Sequence, residues 1–154
     1  MKKNLLQPAL TILMLIMAMV ARAGDVVAVW DFKTMASGAV AIQGTTGTVL
    51  SNVDGIVLEV DATQGKLQSR GSDAQFNAGT IIRVPVKSAK DSVIVTSYPG
   101  YHKYTVGGTA AAEDVTVCKA SSAEASQGYV EIIATATSYL YSIRVVQVSM
   151  IEEK

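Results

Sequence analysis

The sequence predicts an all-β fold, an antiparallel β-sandwich, on three observations. β-Branched and aromatic residues recur in runs of about five to nine residues, bounded by Gly, Asp, Asn and Ser. No stretch beyond residue 23 sustains the 3.6-residue apolar period of an amphipathic helix. Turn residues separate the runs at short intervals, as they do in sandwiches and barrels. The last runs are apolar on both faces, which favours inner strands of packed sheets and hence a sandwich.

Residues 1–23 are set apart as a secretory signal. Lys2 and Lys3 precede an apolar run from Leu10 to Val20, and Ala21-Arg22-Ala23 places small residues at the two positions a signal peptidase reads. The run is shorter than the ~20 residues that span a bilayer, so cleavage near Ala23 is expected and no membrane contact thereafter. The expected location is outside the cell, in a periplasm or at the cell surface. The mature domain is then 24–149, with 150–154 a charged tail or linker stump. The chain beyond the signal has 131 residues, 154 less 23, the size of one ordinary domain. Cys118 is the sole cysteine and has no internal partner, so the core must hold without a disulfide. Its neighbours Val115 and Val117 favour a buried thiol over an exposed reactive one.

The runs follow in order. Val26–Phe32 is the first, and Ile56–Asp61 is entered through the turn pair Asp54-Gly55. Thr80–Lys87 alternates, with Ile82, Val84 and Val86 on one face and Arg83 and Lys87 on the other. Pro85 removes a ladder donor and points to an edge strand or a bulge. Ser88–Asp91 reads as a short turn into Ser92–Ser97, making these two runs a hairpin. Tyr104–Val106, Val115–Lys119, Tyr129–Ala134 and Tyr139–Val148 complete the set. Ala120–Gln127 is polar, Ala-rich and too short to assign as a helix. Gln64–Gly79 reads as a long Gly-punctuated loop, with function or a surface crossover between sheets as its two readings.

Binding chemistry concentrates in Ser97–Gly108. Pro99-Gly100 suits the central positions of a type II turn, because proline presets φ and glycine accepts the positive φ that follows. Such a turn brings Tyr98 and Tyr101 together, with His102, Lys103 and Tyr104 following. Aromatic faces beside hydrogen-bond donors are what a sugar ring requires, since its apolar face stacks while polar groups take its hydroxyls. The candidate glycan site is therefore Tyr98, Tyr101, His102, Lys103 and Tyr104, with Arg70 and Gln75 from the polar segment. The competing reading is that these tyrosines pack over a sandwich edge and stiffen a loop. Trp30 reads as core. No catalytic residue is assigned, for there is no G-x-S-x-G and one imidazole only. No cofactor is expected. Asp31, Asp54 and Asp61 are the carboxylates open to a structural Ca²⁺, without the spacing of an EF-hand. One His and one Cys do not make a zinc site.

Loss of the signal removes Lys2, Lys3 and Arg22 from the 13 basic residues and none of the 13 acidic ones, leaving a net charge of about −3. No basic cluster remains, which disfavours nucleic acid as a partner.

Four stretches carry a family resemblance: VWDF at residues 29–32, VDATQGKLQSRGSDAQFNAGTIIRVPVK, VIVTSYPGYHKYTVGG and GYVEIIATATSYLYSIRVV. Together they resemble a non-catalytic domain at the N-terminus of secreted pectinesterases and pectate lyases of gut Bacteroidota, with SYPGYHKYTVGG the most specific part. The resemblance covers nearly all of the mature chain. It implies a jelly-roll-like sandwich of the carbohydrate-binding-module type and a pectic polysaccharide as partner. It also implies a separate catalytic β-helix domain that this chain does not contain, so no catalytic residue is carried over. A structural role, packing on such a domain without glycan affinity, is the alternative.

Overall fold

A computed structural model describes residues 24–148, so the predicted signal and the tail 150–154 lie outside the described residues. Thirteen strands and one short helix are described. The strands are β1 (Gly24–Asp31), β2 (Ala41–Gln43), β3 (Thr46–Leu50), β4 (Val57–Asp61), β5 (Lys66–Ser69), β6 (Ala74–Phe76), β7 (Ile81–Pro85), β8 (Asp91–Ser97), β9 (Tyr104–Val106), β10 (Thr109–Ala110), β11 (Val115–Lys119), β12 (Tyr129–Ala134) and β13 (Ser138–Val148), with α1 (Ser122–Gln127) between β11 and β12. They form two antiparallel sheets. One runs β11-β8-β13-β6-β5-β2, with β1 also on β13; the other runs β10-β9-β12-β7-β4-β3. The predicted β-sandwich is the observed fold.

The pairing has a simple origin. β9 pairs with β10, β8 with β11, β7 with β12 and β6 with β13. The chain from β6 to β13 is thus one long antiparallel ribbon folded back on itself, and its successive rungs fall alternately in the two sheets. Rolling the ribbon brings β8 beside β13 and β9 beside β12, which closes both sheets. This is jelly-roll topology. The tip of the ribbon is Gly107-Gly108, with φ of 59° and 85°. Two consecutive positive φ values define the turn whose twist suits a two-residue hairpin, and glycine adopts them without strain. A Cβ at Gly107 would also lie 2.8 Å from Cys118 Sγ, so a side chain there would force the thiol to move.

Between the sheets lies one apolar core. Trp30, Phe32, Phe76 and Leu140 enter from the first sheet, and Leu58, Ile82, Ile132 and Tyr104 from the second, each at most 2% exposed. Burying one such side chain contributes roughly 1.5–3 kcal/mol, so a core of this size holds the sandwich without a disulfide. Trp30 joins the sheets as well, because its indole N–H donates to the Val49 carbonyl on β3 at 2.9 Å. The open edge of β1 is covered by Asn52, whose side chain accepts from Val29 N–H at 2.7 Å and whose N–H donates to the Val29 carbonyl at 3.1 Å.

Several sequence expectations are corrected. Thr80–Lys87 and Ser92–Ser97 do not form a hairpin, since β7 and β8 lie in opposite sheets. Their connection is a corner, capped by Asp91, whose Oδ2 accepts from the amides of Lys87 at 2.6 Å and Ser88 at 3.2 Å. Nor is β7 an edge strand; it lies between β12 and β4, and Pro85 is tolerated because it is the last residue of the strand. The segment Gln64–Gly79 is not a loop but holds β5 and β6, closed by the Arg70 N–H donating to the Asp73 carbonyl at 2.8 Å. Ala120–Gln127 does contain a helix. Ser121 and Glu124 form a reciprocal capping box, and Gly128 ends it at φ 98°. Cys118 is half-buried on the inner side of β11, and that burial raises its thiol pKa.

Replacing Trp30 with Phe leaves the Val49 carbonyl without its donor and opens a small void. Urea unfolding should show a loss of about 1–3 kcal/mol. A change below about 0.5 kcal/mol, the range of ordinary surface substitutions, would show that the inter-sheet bond carries no stability.

Candidate functional site

The jelly roll brings five chain segments to one end of the sandwich: the finish of β1, the β5–β6 turn, the β8–β9 connection, the β10–β11 loop and the start of β13. The β8–β9 connection must pass from one sheet to the other, and it does so through Tyr98–Lys103. Its predicted turn forms: Gly100 has φ 85° and Tyr101 N–H donates to the Tyr98 carbonyl at 2.9 Å. The turn docks onto β13, where Tyr98 N–H donates to the Tyr139 carbonyl at 2.8 Å and Tyr139 N–H to the Tyr101 carbonyl at 3.4 Å. On its other side Asp114 Oδ1 accepts from Gly100 N–H at 2.9 Å and lies 2.8 Å from His102 Nδ1. Gly100's amide, and after it His102, hold the Asp114 carboxyl below the usual carboxylate range.

Four tyrosine rings follow in a continuous row. Tyr141 meets Tyr98 at 5.9 Å, Tyr98 meets Tyr101 at 5.6 Å, and Tyr101 meets Tyr139 at 4.9 Å, all edge to face. Such contacts add about 0.5–1.5 kcal/mol each beyond area burial, so the row is fixed by its own packing. A cation closes each end. Arg70 lies 4.2 Å over the Tyr139 ring and Lys33 4.5 Å over that of Tyr141. Arg70 is held by the buried Asp73 carboxylate through Nε at 2.7 Å and Nη2 at 3.0 Å, which keeps the guanidinium charged and leaves Nη1 unused by this pair. Arg70, Tyr98, Tyr101 and Tyr139 line an open cup of about 280 Å³. Tyr98 and Tyr101 are 45% and 44% exposed there.

Of the sequence candidates, Tyr98, Tyr101 and Arg70 meet in this cup. Gln75 pairs in register with Tyr139 and donates to Asn77 Oδ1 at 3.0 Å, beside the cup but not lining it. His102 faces Asp114 behind the turn. Lys103 is exposed, with its N–H on Ser138 Oγ at 2.9 Å. Tyr104 does not join the surface row. It is 2% exposed, tilts against Phe76 at 6.2 Å and donates its hydroxyl to Ser97 Oγ at 3.2 Å, because it shares the inward face of β9 with Val106. Burial raises its phenol pKa. Tyr139, Tyr141 and Lys33 were not singled out from the sequence. The available signal was the alternation Tyr139-Leu140-Tyr141, which puts both rings on the face opposite the core residue Leu140.

The three aspartates considered for Ca²⁺ lie in separate turns. Asp31 Oδ1 accepts from Lys33 N–H at 3.1 Å, Asp61 Oδ1 from Thr63 N–H at 3.0 Å and its hydroxyl at 2.6 Å, and Asp54 sits in the turn that Ile56 N–H closes on the Val53 carbonyl. Among the described residues, no three His, Cys, Asp or Glu side chains are grouped to hold a metal ion. The arrangement at the cup can stack and hydrogen-bond; its one lining cation, Arg70, is paired with Asp73, and Lys33 stands at the far end of the row. No family model, curated protein sequence or solved structure matches the chain.

Tyr104→Phe should behave as a core substitution. It should cost about 1 kcal/mol of stability in chemical denaturation, the worth of one hydrogen bond. A glycan titration of the same variant should show unchanged affinity, and weakened affinity at full stability would return Tyr104 to the binding surface.

Proposed function

We propose that the domain is a non-catalytic glycan-binding module, exported from the cell, with pectic polysaccharide as its ligand. The observation that carries the reading is the tyrosine row bracketed by Arg70 and Lys33. Its cup is smaller than the ~300–1,000 Å³ pockets that enclose drug-sized ligands and suits a single sugar ring. Neighbouring rings of the row give the next sugars of a chain a surface to lie on. Unused guanidinium donors and the Lys33 ammonium favour a ligand carrying carboxylates. The pectic assignment comes from the sequence resemblance.

A second reading has its own observation. At the opposite end, where β1 begins and β13 finishes, Leu50 is 76% and Val53 38% exposed. A groove of about 530 Å³ includes Val53 and is lined by Val27, Ile56, Val57 and Pro85 together with the charged Asp54, Glu59, Lys87 and Asp91. That end suits packing on a pectinesterase or pectate lyase β-helix domain. Under this reading Leu50→Asp would weaken docking to such a domain, measured with the purified partner, and the tyrosine row would be inert toward glycans.

Affinity electrophoresis and calorimetry against homogalacturonan and other plant polysaccharides test the first reading. Tyr98→Ala, Tyr101→Ala and Tyr139→Ala should each weaken binding by more than about 1 kcal/mol, the scale of an interface aromatic, with thermal unfolding still cooperative. Absence of binding to every polysaccharide would sink it.

A further inference from the structure

β11 ends its sheet and is paired on one side only, with β8. Two bonds at the ends of that ladder fix which way its backbone groups point. Ser97 N–H donates to the Asp114 carbonyl and Ala120 N–H to the Asp91 carbonyl, both at 2.9 Å. In an antiparallel ladder, successive residues face the partner strand alternately. Asp114, Thr116, Cys118 and Ala120 therefore turn their N–H and C=O to β8, and Val115, Val117 and Lys119 turn theirs to the open edge. Such a row is a template for another strand, and natural edges are commonly blunted by proline, a bulge or a covering group. Asn52 covers the edge of β1 in that way. β11 has no proline and pairs with β8 without a register shift. Among the described residues its open-edge groups have one contact, a 3.8 Å approach of the Cys118 thiol to the Lys119 carbonyl.

The side chains of the same three residues stand on the outer face of the sheet, away from the core. Val115 is 47% and Val117 50% exposed. Ile94, the rung partner of Val117, continues that face inland at 6% exposure, outside the core between the sheets. Lys119 at one end of the strand and Glu113 before the other are exposed, and neither is ion-paired among the described residues.

We propose that β11 pairs with β11 of a second copy of this chain, antiparallel about a two-fold axis at Val117, joining two seven-stranded sheets into one. A two-fold interface requires a self-complementary patch, and β11 supplies one. In this register Val117 meets Val117 of the second copy, and Val115 meets Lys119. All three pairs are of the hydrogen-bonded kind, so every open-edge N–H and C=O of the strand is used. A shift of one residue would instead set each open-edge group against a residue whose groups are already committed to β8. On the outer face, Glu113 of each copy falls diagonally across from Lys119 of the other, within the reach of long side chains. The Lys119 stem covers Val115 while its ammonium stays in water.

The test needs no ligand, so its outcome is independent of the glycan-binding reading. Sedimentation of the 24–154 chain, from micromolar to millimolar concentration, should show a reversible monomer–dimer equilibrium. Amide exchange by NMR over the same series should show Val115, Val117 and Lys119 gaining protection in step with the dimer. Thr116 and Cys118, bonded to β8 in both states, should not change. Val117→Pro removes the two hydrogen bonds at the axis and none from the β8 ladder. It should raise the dimer dissociation constant at least about tenfold, with the far-ultraviolet dichroism of the monomer unchanged. Lys119→Glu, a surface change that spares the fold, should weaken the dimer about threefold, and adding Glu113→Lys to it should restore the affinity. A monomer at every concentration would overturn the proposal and leave the edge to a strand of another protein. A dimer in which those three amides stay unprotected, or which Val117→Pro leaves at full strength, would place the contact elsewhere and overturn it equally.

Discussion

One strand positions almost everything at the tyrosine end. β13 is eleven residues long, and it pairs along one edge with β8 and along the other with β6 and then β1. Its first residues therefore stand between the end of β8, which leads into Tyr98, and the β5–β6 turn, which carries Arg70. The irregularity between Leu140 and Ser142 falls in this stretch; Tyr139 and Tyr141 both flank the buried Leu140, and the strand returns to the core at Ile143 and Val145. Residues from distant parts of the sequence meet because they share one strand, and the ladder fixes their spacing more firmly than loop contacts would. The same strand draws Trp30 into the core through β1, whose indole then reaches across to β3.

The rolled ribbon explains why surface and core diverge within three residues of one segment. Tyr101 belongs to the crossing at the sandwich end and is exposed, while Tyr104 already lies in β9 and points inward. The crossing segment keeps only two ladder-like bonds, both to Tyr139. For the rest it relies on Asp114, Thr135 and Ser138, which supply acceptors and donors from two neighbouring loops and the start of β13. This polar scaffold lies beneath the aromatic row and holds the turn in one geometry. A preorganised ring surface loses less conformational freedom on binding, which is where rigid aromatic sites gain affinity.

How much of this was legible in the sequence depends on the range of each interaction. β7 was readable because its faces differ in polarity, and β12 and β13 because they are long β-branched and aromatic runs apolar on both faces. β5 and β6 have four and three residues, too few to establish a period, and their outward Gln68 and Gln75 made the segment look like loop. β2 has only three residues, and β3 opens Thr46-Gly47-Thr48, so neither gave a run to find. The β7–β8 hairpin failed for a different reason. A four-residue turn serves a hairpin and a sandwich corner equally, and the true partners, β12 for β7 and β11 for β8, are non-local. Two local signals were there unread: Gly107-Gly108 between two apolar runs, which marks the ribbon tip, and Ser121-x-x-Glu124, which marks the helix start. In the site, the type II turn and Arg70 were accessible from residue chemistry. That Tyr104 faces inward followed from its spacing to Val106, while the meeting of Tyr139 with Tyr101 required the β8–β13 pairing.

The two ends of the sandwich differ in kind, and the difference follows from the roll. At the tyrosine end the apolar surface is aromatic, each ring is braced by another, and cations stand at the margins. At the other end the exposed apolar groups are aliphatic, Leu50 and Val53, and Val53 lines a wider groove whose margins also carry Asp54, Glu59, Lys87 and Asp91. Aliphatic surface has no flat face for a sugar and gains most from dry, shape-matched burial against another protein. Aromatic faces beside hydrogen-bond donors tolerate a hydrated, hydroxyl-rich ligand. Ligand binding at one end and packing at the other are therefore physically compatible within one rigid body. Substitutions at the two ends share no contacts, so their effects should add rather than couple. A double substitution, Tyr101→Ala with Leu50→Asp, separates the two roles: each loss should equal that of the single variant, measured as glycan affinity on one side and partner docking on the other. Loss of glycan affinity from Leu50→Asp alone would instead mean that the sandwich transmits strain from end to end.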